Sequence, residues 1–396
     1  MNDTIRDVVF VDGVRTPFGK AGKMYDETRA DDMIIRCIRS LLERNPSLPP
    51  EKIDEVALAA TTQTGDQGLT MGRTASLLAG LPKTVPGFSI DRMCAGAMTA
   101  VTTTASAIAS RNYDLVIAGG VESMSNHPMG EGADPNPRII AEKLVDPEAL
   151  QMGKTAENIH DLYPEITKDR ADAYAAQTQA RYAEHVKQLQ NDIVSMSAYS
   201  SEEGWTVANG DEPPRPGTTV EGLAELKTPF RPYGRVTAGN SAPLTDGATA
   251  CVLTDSETAS DMGLSAAMKM VGYAFSGVDP EVMGIGPVPA TEKALAKAGL
   301  SIDDIGLFEI NEAFAVQVLA FLDHFKISET DPRVNPWGGA IAVGHPLASS
   351  GVRLMTQLAR QFAERPDVRY GITTMCVGIG QGGTVIWENP NYEGSK

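Results

Sequence analysis

Three short stretches of this 396-residue chain pair a nucleophilic or proton-transferring side chain with backbone that can approach a ligand closely. Cys94 follows the strand-like GFSIDRM and directly precedes the helix-like AGAMTAV. A thiol on such a turn stands at a helix N-terminus, where unsatisfied N–H groups and the helix dipole favour thiolate, so an exposed, acidified nucleophile is expected. His345 lies in NPWGGAIAVGHPLASSG, among glycines and before Pro346. An imidazole titrates near neutral pH and can take a proton from a thiol and deliver one to a leaving group. Cys376, in TTMCVGIGQGG, follows a buried strand and precedes glycines whose N–H groups are free to hold an oxyanion; a second thiol placed so can shuttle a proton. Asn311 and Glu312 end the strand in FEINEAF and read either as a helix cap or, for Asn311, as the holder of a water or a carbonyl. Cys37 and Cys251, inside a helix and a strand, read as buried structural thiols.

The elements that must position these groups alternate between short β-branched runs and longer stretches at helical period, the pattern of an α/β fold with a largely parallel, buried sheet. VVFVDGV, EVALAAT, GFSID, LVIAGG, FEI, GITTMC and GTVIWE read as strands; ADDMIIRCIRSLLERN, AGAMTAVTTTASAIASRN, TEKALAKAG and SGVRLMTQLARQFAER read as helices. Residues 123–242 break this rhythm with GEGADPNP, NGDEPPRPGTT and RPYGR around two helical stretches, near Thr155–His160 and Lys168–Gln190, and read as a long insertion. On either side the sequence repeats weakly. IDEVALA at Ile53 resembles IDDIGLFEI at Ile302, an offset of 302 − 53 = 249, and Asp114 in RNYDLVIAGG pairs with Asp367 in ERPDVRYGITT, at 367 − 114 = 253. An offset of about 250 carries Cys94 to the neighbourhood of His345, so a duplicated unit would bring the two turns together at the carboxyl ends of the strands.

Composition limits the partners. With 34 Lys plus Arg against 51 Asp plus Glu, the net charge of −17 argues against a broad nucleic-acid surface or a polybasic membrane contact, and any anionic ligand must meet a local basic cluster. The four cysteines are far apart, with no C-x-x-C pair and no His at metal-ligand spacing, so no metal site is expected. The opening MNDTIRDVVFVDGVRTPFG carries acids where a secretory leader needs bases, which points to a cytoplasmic, reducing setting with free thiols.

Nine motifs in one order then carry a resemblance over nearly the whole chain: RTPFGK, DRMCAGAM, AGGVESMS, MGKTAEN, VTAGNSAPLTDGA, GPVPA, NEAF, NPWGGAIAVGHP and MCVGIGQGG. The sequence resembles the thiolases, and more closely the degradative 3-ketoacyl-CoA thiolases that form the β-subunit of bacterial fatty-acid oxidation complexes. The resemblance implies an α/β thiolase fold: two duplicated βαβαβαββ halves, residues 1–122 with 243–268 and residues 269–396, in a five-layered αβαβα arrangement, with 123–242 inserted as a loop domain over CoA. It implies that Cys94 is the nucleophile carrying an acyl thioester, that His345 is the base for Cys94 and for the incoming CoA, and that Cys376 is the second proton donor and acceptor. Asn311 would hold a water that forms one oxyanion hole with His345, and the N–H groups of Cys94 and Gly378 would form the other.

For CoA, a substrate and not a resident cofactor, the resemblance implies contacts from Arg215 and from the 240–242 region, where Ala242 replaces the Ser that touches pantetheine in many thiolases and Ser241 is the neighbouring hydroxyl. Ala348 replaces the usual Gly after GHPL, and Ile379 stands where some members carry Gly. The implied partners are a second copy or three further copies of the chain and a multifunctional hydratase/dehydrogenase α-subunit. Two alternatives keep the same scaffold: a biosynthetic acetoacetyl-CoA thiolase running the condensation, and a non-catalytic acyl-CoA or lipid carrier.

Overall fold

A computed structural model describes residues 5–394; Met1–Thr4 of the opening segment and the final residues 395–396 of the C-terminal half lie outside the described residues. Among the described residues there are twelve strands: β1 (Val9–Arg15), β2 (Gly19–Lys20), β3 (Glu55–Ala59), β4 (Gly87–Ile90), β5 (Leu115–Glu122), β6 (Met196–Ser200), β7 (Gly204–Ala208), β8 (Thr245–Thr254), β9 (Met268–Gly277), β10 (Ile305–Ile310), β11 (Tyr370–Val377) and β12 (Gln381–Glu388). The order β4-β3-β5-β8-β1 makes one half-sheet and β9-β12-β11-β10 the other. They meet where Val9 and Phe10 pair with Lys269 and Met268. Pairings β3–β4, β3–β5 and β10–β11 are parallel, while β8 and β12 run antiparallel to their neighbours, so the sheet is mixed and not largely parallel as the strand and helix alternation suggested.

Strands β1, β3, β5, β8, β11 and β12 are buried on both faces, and the period of two sorts their side chains between two cores. On β5, Val116 and Ala118 face a central core while Leu115, Ile117 and Val121 face an outer one; β8 divides likewise, Cys251 and Leu253 against Ala250 and Val252. Helices Gly96–Ala109 and Ser350–Glu364 fill the space between the half-sheets through Met98, Val101, Ala105, Val352, Met355 and Phe362. They approach so closely that a β-carbon built at Gly351 would lie 2.5 Å from the Met98 nitrogen. Helices Ala30–Arg44 and Met71–Ala79 cover the outer N-terminal face, and Pro287–Ala298 with Ala315–Phe325 the outer C-terminal face. The result is helix, sheet, helix, sheet, helix.

Each half runs strand, helix, strand, helix, strand, helix, strand, strand, with one reduction. The C-terminal counterpart of β4 is a single bridge, Phe308 to Val334. Helix Gly96–Ala109 and helix Ser350–Glu364 are therefore counterparts, each behind a short 3-10 turn, Met93–Ala95 or Leu347–Ser349. Between β5 and β8 the chain adds helices Met152–Leu162 and Lys168–Glu184, which pack Ala156, Ile159, Ala171 and Ala175 on the outer C-terminal core. It also adds the β6–β7 hairpin, whose Met196, Ala198 and Ala208 join the outer N-terminal core. That hairpin, β9, and helices Met71–Ala79 and Ala315–Phe325 were not legible in the sequence patterns.

Candidate active site

The Cys94 turn is built from an N–H held by Asp91 and a strained residue. Asp91 Oδ1 accepts the Met93 N–H at 2.6 Å, the Ala95 N–H bonds back to Arg92 O, and Met93 sits at φ 44°, a conformation side chains rarely adopt. Cys94 is half-buried. The thiol of Cys94 is pushed up to about 12, because burial outweighs the N–H of Gly378 and the turn's own N–H, and the Glu122 carboxylate adds to the rise. This corrects the expectation of an acidified, exposed thiol: enclosure between two halves of the fold costs the thiolate more than a helix end returns.

The counterpart turn carries His345. Gly344 precedes it at φ 104°, where a β-carbon would lie 2.5 Å from Thr245 Cγ2, so only glycine threads the backbone there. The imidazole is buried and held on both edges: Nδ1 lies 2.6 Å from Ser350 Oγ, and Nε2 lies 3.3 Å from Asn311 Nδ2. Arg353 Nη2 donates to Asn311 Oδ1 at 3.5 Å, which turns the amide NH2 toward His345. An amide NH2 can only donate, so Nε2 carries the lone pair and Nδ1–H donates to Ser350. Burial, and then the positive charge of Arg353, holds the imidazole down to about 3, so it is neutral and ready to accept a proton.

Cys376, on β11, is buried, and its thiol is raised by burial and then by the nearby Cys94. The β11–β12 turn brings Gly378 against the Cys94 turn: a β-carbon there would strike Met93 Sδ at 2.7 Å. Ile379 occupies φ 58° in the same turn, so both turns that frame Cys94 hold a non-glycine residue in the left-handed region. Asn311 follows β10 and fastens to β11 through its N–H on Thr374 O. Neither it nor Glu312 caps helix Ala315–Phe325, whose N-cap is Phe314. Glu312 is instead a buried acceptor for Tyr174 Oη, Thr178 Oγ1, Asn335 Nδ2 and the Ile341 N–H.

The structure thus places Cys94 against Gly378 and Cys376, and His345 against Asn311, on two turns, Met93–Ala95 and Leu347–Ser349, that pack on each other. Arg215 is an exposed residue of the insertion whose N–H bonds Gln179 Oε1 at 2.9 Å; Gln179 Nε2 in turn donates to Ile341 O, four residues before His345. Its guanidinium has no hydrogen bond or ion pair among the described residues. Ser241 lies beside the Asn311 loop, bridged to Phe314, with its hydroxyl donated to Thr237 O at 2.7 Å. Ser350, Arg353 and Glu122 were missed as site residues. A Ser five positions after a loop histidine, at the start of a helix, was the available signal for the first. Cys37 and Cys251 are buried, as read from the sequence.

A thiol, a neutral imidazole with an unprotonated Nε2, a second thiol and an amide, drawn from two copies of one structural unit, define an enzyme of covalent acyl transfer. The chain belongs to the thiolase family: the model for the thiolase N-terminal domain matches residues 8–257 and that for the thiolase C-terminal domain residues 264–389. It is 40% identical, over 97% of its length and 100% of the relative, to the 3-oxoadipyl-CoA/3-oxo-5,6-dehydrosuberyl-CoA thiolase of Escherichia coli (strain K12). Against a 3-ketoacyl-CoA thiolase of Vibrio vulnificus (strain CMCP6) the identity is 39% over 98% of the chain and 100% of the relative. The crystal structure of the Bacillus anthracis acetyl-CoA acetyltransferase superposes with a TM-score of 0.88 at 34% identity, covering 98% and 100% of the two chains. Human mitochondrial 3-ketoacyl-CoA thiolase gives 0.87 at 33%, covering 97% and 99%. The fold is the thiolase fold and the protein is an acyltransferase.

Proposed function

We propose that the chain cleaves 3-ketoacyl-CoA with CoA, giving acetyl-CoA and an acyl-CoA shortened by two carbons. The observation that carries this is the placing of Cys94 beside Cys376 and the Gly378 N–H, within a site whose His345 keeps Nε2 unprotonated. Cys94 Sγ adds to the 3-keto carbon while His345 Nε2 takes the thiol proton. The C2–C3 bond then breaks, Cys376 protonates C2 of the departing acetyl-CoA enolate, and the proton on His345 returns to Cys376. CoA next enters, gives its thiol proton to His345 and displaces the acyl group from Cys94, which recovers the proton. Splitting the cleavage into two transfers replaces one difficult step by two easier ones. The oxyanion would rest on the N–H groups of Cys94 and Gly378 in one step and on His345 with an Asn311-held water in the other.

Residues 123–242 would cover CoA, with the unpaired Arg215 supplying the local positive charge that a net −17 chain otherwise lacks and Ser241 left to act as an acceptor. The same reading carries a cytoplasmic homodimer or homotetramer, supported by the unpaired outer edge of half-buried β4, and a hydratase/dehydrogenase α-subunit as partner. Among the described residues no helix is long and apolar enough to cross a membrane. A second substrate class, acyl chains ending in a carboxylate, is favoured by the name of the Escherichia coli relative. The test is CoA-dependent loss of acetoacetyl-CoA, a long-chain 3-ketoacyl-CoA and 3-oxoadipyl-CoA side by side, with Cys94→Ala as control. Rapid thiolysis of the long substrate, absent in the variant, is expected. Turnover confined to acetoacetyl-CoA would assign the biosynthetic enzyme, turnover confined to 3-oxoadipyl-CoA the carboxylate class, and none at all would point to another acyl-CoA, a missing partner subunit or the carrier.

A further inference from the structure

The site draws its nucleophile from one half and its acid and base groups from the other, so something must hold the two halves in register to within a hydrogen-bond length. On β5, Val116, Ala118, Gly120 and Glu122 share the inward face by the period of two. Gly120 leaves room: a β-carbon there would lie 2.5 Å from Ala348 O. Glu122, buried at the strand's end, is fixed within its own half by the Thr61 N–H at 3.0 Å, the Thr62 N–H at 3.3 Å and Gln67 Nε2 at 2.9 Å. Its Oε2 also accepts the N–H of Ala348, three residues after His345, at 3.2 Å. The other end of the His345 loop is held by its own half, with the Ile341 N–H on Glu312 Oε2 at 3.1 Å.

We infer that Glu122 is a positioning residue: a carboxylate held by three N-terminal donors that sets the His345 loop against the Cys94 turn. This rests on Cys94 and His345 being the reacting groups. Its second effect is electrostatic and opposite in sign to what a nucleophile needs, because a buried negative charge near Cys94 disfavours the thiolate. A tie kept at that electrostatic cost is one whose geometry matters.

Two variants separate geometry from charge. Glu122→Asp keeps the charge and withdraws it by one methylene; Glu122→Gln keeps the length, removes the charge and turns an NH2 toward N–H donors. Both are expected to fold and to lose about 10²-fold in kcat with KM changed by less than about threefold, the signature of misplaced reacting groups. Alkylation of Cys94 by iodoacetamide, which needs no substrate, then distinguishes them. Glu122→Gln shifts the pH–rate profile of labelling to lower pH, whereas Glu122→Asp leaves the profile in place. Folded variants with kcat within about threefold of the parent, identical alkylation profiles for both, or failure of both to fold would each overturn the inference. Wild-type protein that alkylates at Cys94 but turns over no thiolase substrate would defeat the functional reading, while the alkylation profiles would still decide the role of Glu122.

Discussion

The turns bearing Cys94 and His345 occupy equivalent places in a duplicated unit, yet they are furnished in opposite ways. His345 is buried, with Ser350 on one ring nitrogen and Asn311 on the other. Cys94 is half-buried and meets backbone N–H groups, those of Gly378 and of its own turn. Side-chain partners fix a tautomer and an orientation, which a base needs before the reaction. In the proposed roles, a nucleophile must change its bonding during the reaction, and backbone donors would serve it once it is a thioester, when they could face the new oxyanion. Duplication supplied two equivalent turns, and divergence of their neighbours gave them distinct chemistry.

The contrast breaks most visibly in the unliganded enzyme's response to pH. With Cys94 up at about 12 and His345 down at about 3, the resting pair is thiol and neutral imidazole, not thiolate and imidazolium. Below the thiol pKa the thiolate fraction rises about tenfold for each pH unit. Iodoacetamide inactivation is therefore expected to climb about 10³-fold over three pH units above neutrality. A plateau near neutral pH would show a preformed ion pair and erase the distinction between the two turns. The same burial of His345 bears on stability. An unfolded imidazole takes up a proton below about 6.5, whereas the folded one stays neutral down to about 3, so stability present above about 6.5 is lost as pH falls through that window.

Removing one partner sharpens the comparison on the other side. In Ser350→Ala the buried Nδ1–H loses its acceptor, at a cost of about 1–3 kcal/mol, which corresponds to about 5- to 150-fold if the cost falls on the reacting geometry. Thiolysis should slow within that range, while the pH–rate profile of Cys94 alkylation stays where it was. An unchanged kcat would mean that Asn311 alone sets the ring.

Much of this was legible beforehand, for reasons that particular residues make clear. The strands carrying Val116 and Ile372 are apolar on both faces, and the offset of about 250 between Ile53 and Ile302 foretold that the turns of Cys94 and His345 would meet. Less legible was β9, MKMVGYAFSG, where Lys269 and two glycines interrupt the alternation, and β6–β7, whose outer face carries exposed Tyr199, Trp205 and Val207 beside Ser197, so that apolar and polar residues do not alternate. Cys94 illustrates the deeper limit. A helix end is visible in the sequence, but enclosure by Gly378 and Glu122, distant in the chain, exists only once the halves close. The same holds for Glu122, whose four donors come from Thr61, Thr62, Gln67 and Ala348.

The smallest expected effect tests how tightly the two turns are fitted. Ala348 carries a methyl group in the His345 turn, and Gly96, at the start of the helix behind Cys94, is the residue it faces. A β-carbon at Gly96 would lie 3.0 Å from Ala348 Cβ and 2.7 Å from Ala59 Cβ, both closer than packed methyl groups tolerate. Gly96→Ala is therefore expected to destabilise by about 1–3 kcal/mol through overpacking, in spite of the better helix propensity of alanine. Ala348→Gly alone costs about 0.5–1 kcal/mol from added backbone freedom. Combined, the two should cost less than their sum by about 0.5 kcal/mol or more, because the second change removes one of the two clashes. Rescue must be incomplete, since Ala59 remains. Denaturant titration of the four proteins reads this coupling. Strict additivity would mean that the halves yield at this contact and that their register is held elsewhere, at the bond between Glu122 and the Ala348 N–H.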